Sequence, residues 1–312
     1  MLALEAGKWN GGRALLLVGC SGGSSGGNVR VAREVADACH IVFGERMSSW
    51  EAEAEHTRWL DLVIDSAAYE MVFQPIVDIR SCRVIAQEAL VRFHDGTAPT
   101  EALRVATTLG RRTELELALV AASLGNAVAL PEGIRIHVNV SPETALNPGL
   151  SDLIAAADRR VVLEITENAM FSSANAETLR SSIPASCLLA ADDVGAGYAG
   201  MSQLLDVRPD IVKLDRAVVR GIDTDAARQA LVAGLVQFAQ ATRSFVVGEG
   251  VERFEEWQIL QRLGVDYGQG FYFSRPIRLA DAAQISRVER DHPTSAKGIV
   301  QRRRKGVSTA RQ

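Results

Sequence analysis

The stretch LLAADDVGAGYAG, Leu188 to Gly200, opens as an apolar run of strand type. It ends in two adjacent aspartates, Asp192 and Asp193, and continues through Gly195, Gly197 and Gly200. Two like charges at the end of a buried strand repel each other. They are tolerated where solvent covers them, where a helix N-terminus faces them, or where a cation sits between them.

The same pattern recurs outward from this stretch. Short apolar runs rich in β-branched residues each end in a polar group: VIAQEALVR, IRIHVNVS, VVLEITE, CLLAADD, DIVKLD, FVVGEGVE and DYGQGFYF. Amphipathic helices lie between them. One is DTDAARQALVAGLVQFAQATR, with Leu231, Leu235 and Phe238 read as its apolar stripe; another is ERFEEWQILQRLG, stopped by Gly264. Strands alternating with helices at this spacing predict a parallel sheet. With EMVFQPIVDI added at the front the strands number eight, which predicts an α/β fold, a (β/α)8 barrel of TIM type.

In such barrels the site lies at the C-terminal ends of the strands. Here those ends carry Glu88, Asn139, Glu164, Asp192 and Asp193, Lys213, Glu249 and Gln269. A single Asp or Asn after a strand reads as a turn residue or helix cap. A whole ring of polar strand ends reads as a site, and Glu and Lys are poor caps. Carboxylates and an amide form a hard-oxygen donor set that suits Mg²⁺ or Mn²⁺ better than Zn²⁺. Two such cations would neutralise the cluster and activate water against a phosphodiester. Asp192 ends its strand and Asp193 begins the loop, so the two side chains are expected to leave in different directions and serve different cations.

Composition is consistent with this. The chain has 312 residues, is 47% hydrophobic and carries a net charge of −4, which leaves no overall basic bias toward nucleic acid. Its four cysteines, Cys20, Cys39, Cys82 and Cys187, form no CxxC pair and read as reduced thiols in a cytoplasmic protein. The early apolar run ALLLVG is too short to span a bilayer, and no signal-peptide pattern follows it. Residues 1–60 form an N-terminal extension holding the Gly/Ser-rich CSGGSSGGN and a helical stretch from about Val29. Residues 61–282 form the barrel, and 283–312 form a basic tail, with QRRRK at Gln301 to Lys305, expected to lack regular structure.

Within the barrel, EALVR at Glu88 to Arg92 resembles the signature of the EAL-domain cyclic di-GMP phosphodiesterases. The resemblance continues through FQPIVD, VNVS, LEITE, DDVGAGY, KLD, EGVE and QGFYFSRP, in that family's order, over about residues 69–278. It implies a barrel whose first strand is antiparallel to the rest. It also implies hydrolysis of cyclic di-GMP to linear pGpG with two Mg²⁺ or Mn²⁺ ions, Ca²⁺ being inhibitory, and a homodimer.

Carried across residue by residue, the resemblance implies metal ligation by Glu88, Asn139, Glu164, Asp192, Asp193 and Glu249. It implies catalytic roles for Lys213, which orients the nucleophilic water, for Gln269, and for Glu88 and Glu249 as ligands. Gln74, Leu90, Arg92 and Pro276 correspond to substrate contacts; Glu167 and Glu252 correspond to residues that anchor the loops. The departure lies after the aspartates, where the family's DDFGTGYSS reads DDVGAGYAG: the carboxylates are kept, and hydroxyls that order the loop are gone. No GG(D/E)EF stretch is present. Residues 13–60 weakly resemble the last strand and closing helix of a GAF sensor domain.

Arg135 and His137 share strand parity with Asn139, and His137 reads as a hydrogen-bonded core residue rather than a ligand. Two other classes compete with the enzyme. A cyclic di-GMP receptor would bind without cleaving, and a scaffold would leave the ring of acids unexplained. A sugar-phosphate barrel enzyme would need a better phosphate loop than YGQGFYF.

Overall fold

The structure, a computed structural model, describes residues 2–9, 12–18, 50–166, 173–195, 200–288 and 300–302. The chain divides into two units, Met1–Ala67 and Ala68–Gln312. In the first, β1 (Leu2–Trp9) pairs antiparallel with β2 (Gly12–Val18), from Leu2 opposite Val18 to Trp9 opposite Gly12. Helix α1 spans residues 50–66 and crosses the boundary expected at residue 60. The helical stretch expected from Val29 lies mostly outside the described residues. Among the described residues no helix is long and apolar enough to cross a membrane.

The second unit runs β3 (Tyr69–Asp78), β4 (Val84–Phe93), α2 (Pro99–Thr108), α3 (Arg112–Ala127), β5 (Arg135–Asn139), α4 (Pro142–Ala145), α5 (Pro148–Ala156) and β6 (Val161–Thr166). It continues with α6 (Ser173–Ser182), β7 (Leu188–Val194), α7 (Gly200–Val207), β8 (Ile211–Leu214), α8 (Arg216–Val219), α9 (Ala226–Thr242), β9 (Phe245–Gly248), α10 (Phe254–Leu263) and β10 (Tyr267–Gly268). The last elements are β11 (Ile277–Arg278), α11 (Leu279–Ala282), β12 (Ile285–Val288) and β13 (Val300–Arg302).

Strands β3 to β10 form one sheet in chain order, and β10 pairs with β3 to close it. Pairings from β4 to β10 are parallel, while β3 is antiparallel to both its barrel neighbours, as the resemblance implied. The β3–β4 hairpin turns where the Asp78 carboxylate accepts the N–H groups of Arg80 and Ser81. Ile76, Ala86, Val162, Ala190, Ile211 and Val247 fill the barrel interior beneath the polar strand ends. Two larger apolar layers separate the strands from the helices.

The helices follow their local signals. The Asp225 side chain caps α9 by accepting from the N–H groups of Ala227 and Arg228, and Gly264, at φ 88, ends α10. The apolar stripe of α9 keeps Leu235 but is rotated from the sequence expectation at its other positions. Val232, Leu235, Val236 and Ala239 face the core, while Leu231 is 43% exposed and Phe238 only partly buried. Both sets of positions satisfy the helical period and share Leu235, so packing against the barrel decides between them.

The unit does not end at residue 282. The Val288 N–H bonds the Cys82 carbonyl, and Arg287 bridges to Arg83, so β12 is tied to the β3–β4 turn. β13 pairs with β12, which departs from the structureless tail expected there for these three residues. Alternation around β-branched Val300 permits a short strand. The other residues of the tail beyond Val288 lie outside the described ones.

Candidate active site

The polar strand ends meet at the barrel mouth in two connected belts. In the first, Glu88 on β4 accepts hydrogen bonds from Asn139 Nδ2 at 2.9 Å and from Gln269 Nε2 at 2.5 Å. Gln269 Nε2 also reaches Gln74 Oε1 at 3.2 Å, and Gln74 Nε2 donates to the Ser274 carbonyl. Gln74 faces Glu88 directly across the β3–β4 pair, so strand register builds this contact. In the second belt, Lys213 on β8 is 1% exposed and its Nζ contacts three carboxylates. These are Glu164 at 2.7 Å, Asp192 at 2.8 Å and Glu249 at 2.6 Å. His137 Nδ1 lies 2.7 Å from Glu164 Oε1.

Asp192 and Asp193 do not diverge as a regular strand would require. The β7–β8 register shifts between Ala191 and Val194, and Asp193 adopts φ 57. A bulge with a left-handed residue turns successive side chains toward one side, and aspartate tolerates that conformation better than most residues. Both carboxylates therefore reach a cavity of about 280 Å³. Asp192, Asp193 and Glu249 each bring an oxygen within 4.8 Å of the others. Gly195 follows at φ 100, where a β-carbon would come within 2.6 Å of Val218.

Burial sets the electrostatics. It pushes Glu249 up to about 8, against the pull of Lys213 and with the push of Asp192 and Glu88. Burial, Asp192 and Asp215 lift Asp193 to about 6. Glu164 is raised well above the ordinary carboxylate range by burial, which Lys213 opposes and its carboxylate neighbours reinforce. Burial also acts against the ionised form of Glu88, but Lys213 and the amides of Gln269 and Asn139 outweigh it and lower its pKa. Burial likewise works against the Lys213 ammonium, yet Asp192, Glu164 and Glu249 outweigh it and keep the lysine charged. Burial, followed by the charge of Lys213, holds the His137 ring down at about 3, so it is neutral.

The donor set fits a hard divalent cation. It is all oxygen, its carboxylates outnumber the one lysine, and Glu164 Oε2 is buried without a hydrogen-bond partner. The EAL domain profile matches residues 58–276. The chain belongs to the EAL domain family.

This EAL chain is 28% identical over 230 residues to the probable cyclic di-GMP phosphodiesterase PdeG of Escherichia coli K12. That alignment covers 68% of this chain and 45% of PdeG, so the chain spans less than half the length of that relative. Klebsiella pneumoniae BlrP1 in its manganese and cyclic di-GMP complex matches with a TM-score of 0.60 at 33% identity, over 67% of this chain and 56% of BlrP1. Its calcium and cyclic di-GMP complex gives 0.59 at 34% identity over the same shares, 67% and 56%. The Xanthomonas citri FimX EAL domain in complex with cyclic di-GMP is 18% identical, with a TM-score of 0.66 over 74% of this chain and 96% of that domain, and shares the fold.

Within the EAL barrel, Gln74, Glu88, Leu90, Asp192, Asp193, Lys213, Glu249 and Gln269 line the mouth cavity. Asn139 and Glu164 line an adjoining cavity of about 770 Å³ that meets the mouth at Leu90. Arg92 lines this second cavity and is exposed, with Nη1 bonded to the Val91 carbonyl. Pro276 lines neither cavity. Glu252 stands at the mouth edge in a surface pair with Arg216. Anchoring of that loop is made by buried Glu256, which accepts from the N–H groups of Gly221, Glu252 and Arg253. Glu167 and residues 196–199 lie outside the described residues.

Two mouth residues escaped sequence reasoning. Asp215 caps α8 through the Ala217 N–H, lines the cavity and helps lift Asp193. Its signal was the third letter of KLD, one residue beyond the strand. Phe271 is 48% exposed at the cavity edge, with the Arg275 guanidinium 4.2 Å from its ring centroid. Its signal was an aromatic side chain directly after Gln269 and Gly270.

Proposed function

We propose that this EAL barrel hydrolyses one phosphodiester bond of cyclic di-GMP, leaving linear pGpG, with two Mg²⁺ or Mn²⁺ ions. The observation that carries the reading is the meeting of Asp192, Asp193 and Glu249 oxygens within 4.8 Å, beside Lys213 and Glu88. The similarity to PdeG and to the metal and cyclic di-GMP complexes of BlrP1 supports it.

In this reading Glu88, Asn139, Glu164 and Asp192 would hold one cation, and Asp193, Glu249 and Asp215 would hold the other. When bound, the cations would supply a water nucleophile at neutral pH and charge to stabilise the leaving 3′-oxygen. Lys213 stays an ammonium, so it orients water and carboxylates rather than accepting a proton. Gln269 and Asn139 fix Glu88 from two sides. Phe271 offers an aromatic surface for a guanine, with the guanidinium of Arg275 over one of its faces. In the balanced step, water oxygen bonds phosphorus, the phosphorus–O3′ bond breaks, and a proton ends on O3′.

Incubating the purified chain with cyclic di-GMP and Mg²⁺ or Mn²⁺, and separating nucleotides by chromatography, tests this. Linear pGpG is expected, and Lys213→Ala should reduce turnover with substrate binding retained. Binding without product in both metals would establish a receptor instead, pointing to the loop that lacks the family's hydroxyls.

A further inference from the structure

His137 lies on β5, two residues before Asn139, and is 1% exposed. Its Nδ1 sits 2.7 Å from Glu164 Oε1, the same oxygen that Lys213 Nζ approaches at 2.7 Å. The other oxygen, Glu164 Oε2, is buried and has no hydrogen-bond partner. Two nitrogens against one carboxylate oxygen and none against its twin is an unbalanced arrangement. A buried acceptor left bare is costly, because its hydration is lost and nothing replaces it. The imbalance is resolved when Oε2 binds a cation.

We propose that His137 is a positioning residue for the cation site: its Nδ1–H holds Glu164 by Oε1 and leaves Oε2 facing the metal. The inference rests on the reading of Glu164 as a ligand given above. Lys213 cannot supply this restraint alone, since its ammonium is shared among three carboxylates on a flexible stem. An imidazole is rigid, and this one is enclosed within the barrel. Its ring nitrogen faces a single oxygen of a single carboxylate, whereas the ammonium faces three. Partners of this kind tune metal affinity, typically by about 10–100-fold.

Asparagine places its amide nitrogen near the position of histidine Nδ1, and glutamine places its own near that of Nε2. His137→Asn therefore keeps the donor where Glu164 needs it, and His137→Gln moves it. The full chain is titrated with Mn²⁺ alone, following the paramagnetic signal of free aquo Mn²⁺, for wild type and both variants. We expect His137→Asn to bind within about threefold of wild type and His137→Gln to bind about tenfold or more weakly. At saturating Mn²⁺, His137→Gln should lower kcat with KM for cyclic di-GMP unchanged. Should His137→Gln fail to fold, His137→Ala carries the same expected loss. Equal Mn²⁺ affinity in wild type and the donor-displaced variant, or equal losses in His137→Asn and His137→Gln, would overturn the role. Wild type that binds no Mn²⁺ would instead sink the cation site itself.

Discussion

Glu249 and Asp193 hold protons in the metal-free chain that ordinary carboxylates have lost. Burial lifts Glu249 from 4.5 to about 8 and Asp193 from 3.8 to about 6. Between the ordinary and the lifted values, the folded state binds more protons than the unfolded state, so stability falls as pH rises through that window. A divalent cation held by these carboxylates, as proposed, would take the place of those protons. Magnesium at fixed concentration should therefore raise Tm more at pH 8.5 than at pH 6, as read by differential scanning fluorimetry. Equal increments at both pH values would mean that the cation does not displace these protons. Phe271 gives a second expectation at this scale. Base–aromatic stacking contributes about 1–3 kcal/mol per base, so Phe271→Ala should raise KM for cyclic di-GMP by roughly tenfold and leave kcat intact. Steady-state kinetics decides it; an unchanged KM removes Phe271 from the substrate path.

At the scale of elements, the turn from β10 into the following loop is the most tightly built part of the mouth. Gly270 has φ 150, and a β-carbon there would lie 2.2 Å from the Val251 carbonyl oxygen and 2.3 Å from its nitrogen. Backbone atoms cannot step aside as a side chain does. Gly270→Ala should cost about 1–3 kcal/mol or more and loosen the Gln269 bond to Glu88, measured as a lower urea midpoint together with reduced turnover. A midpoint at the wild-type value would show that the loop yields freely. The strands themselves were legible in the sequence, because each pairs an apolar β-branched run with one polar terminus. The bulge at Asp192 and Asp193 was not, since a period of two assigns neighbours to opposite faces and only a backbone irregularity brings them together. Glu256 was hidden for a related reason: its work is done on N–H groups, which leave no mark in a side-chain pattern. The β1–β2 pair had a signal that went unread, Asn10-Gly11 between two apolar runs.

For the molecule as a whole, the fold was legible because the motifs keep their order along the barrel. How copies of the chain meet is a separate question. Leu205 on α7 is 64% exposed while its neighbours Leu204 and Val207 are buried. We expect a dimer mass by light scattering at micromolar protein and a shift to monomer in Leu205→Glu, with Tm retained; a monomeric wild type would remove the idea. The direction of β3 has a different consequence. Tyr69 pairs with Phe93 at the far end of β4, and Asp78 pairs with Tyr267 at the start of β10. The polypeptide thus enters the barrel at the catalytic rim and descends to the base. Tyr69, where β3 begins, lies at the rim that carries the site, and five residues on along the same strand stands Gln74, whose amide oxygen accepts from Gln269. In a uniformly parallel barrel the first strand would begin at the opposite end, with the whole height of the sheet between its first residue and the polar strand ends.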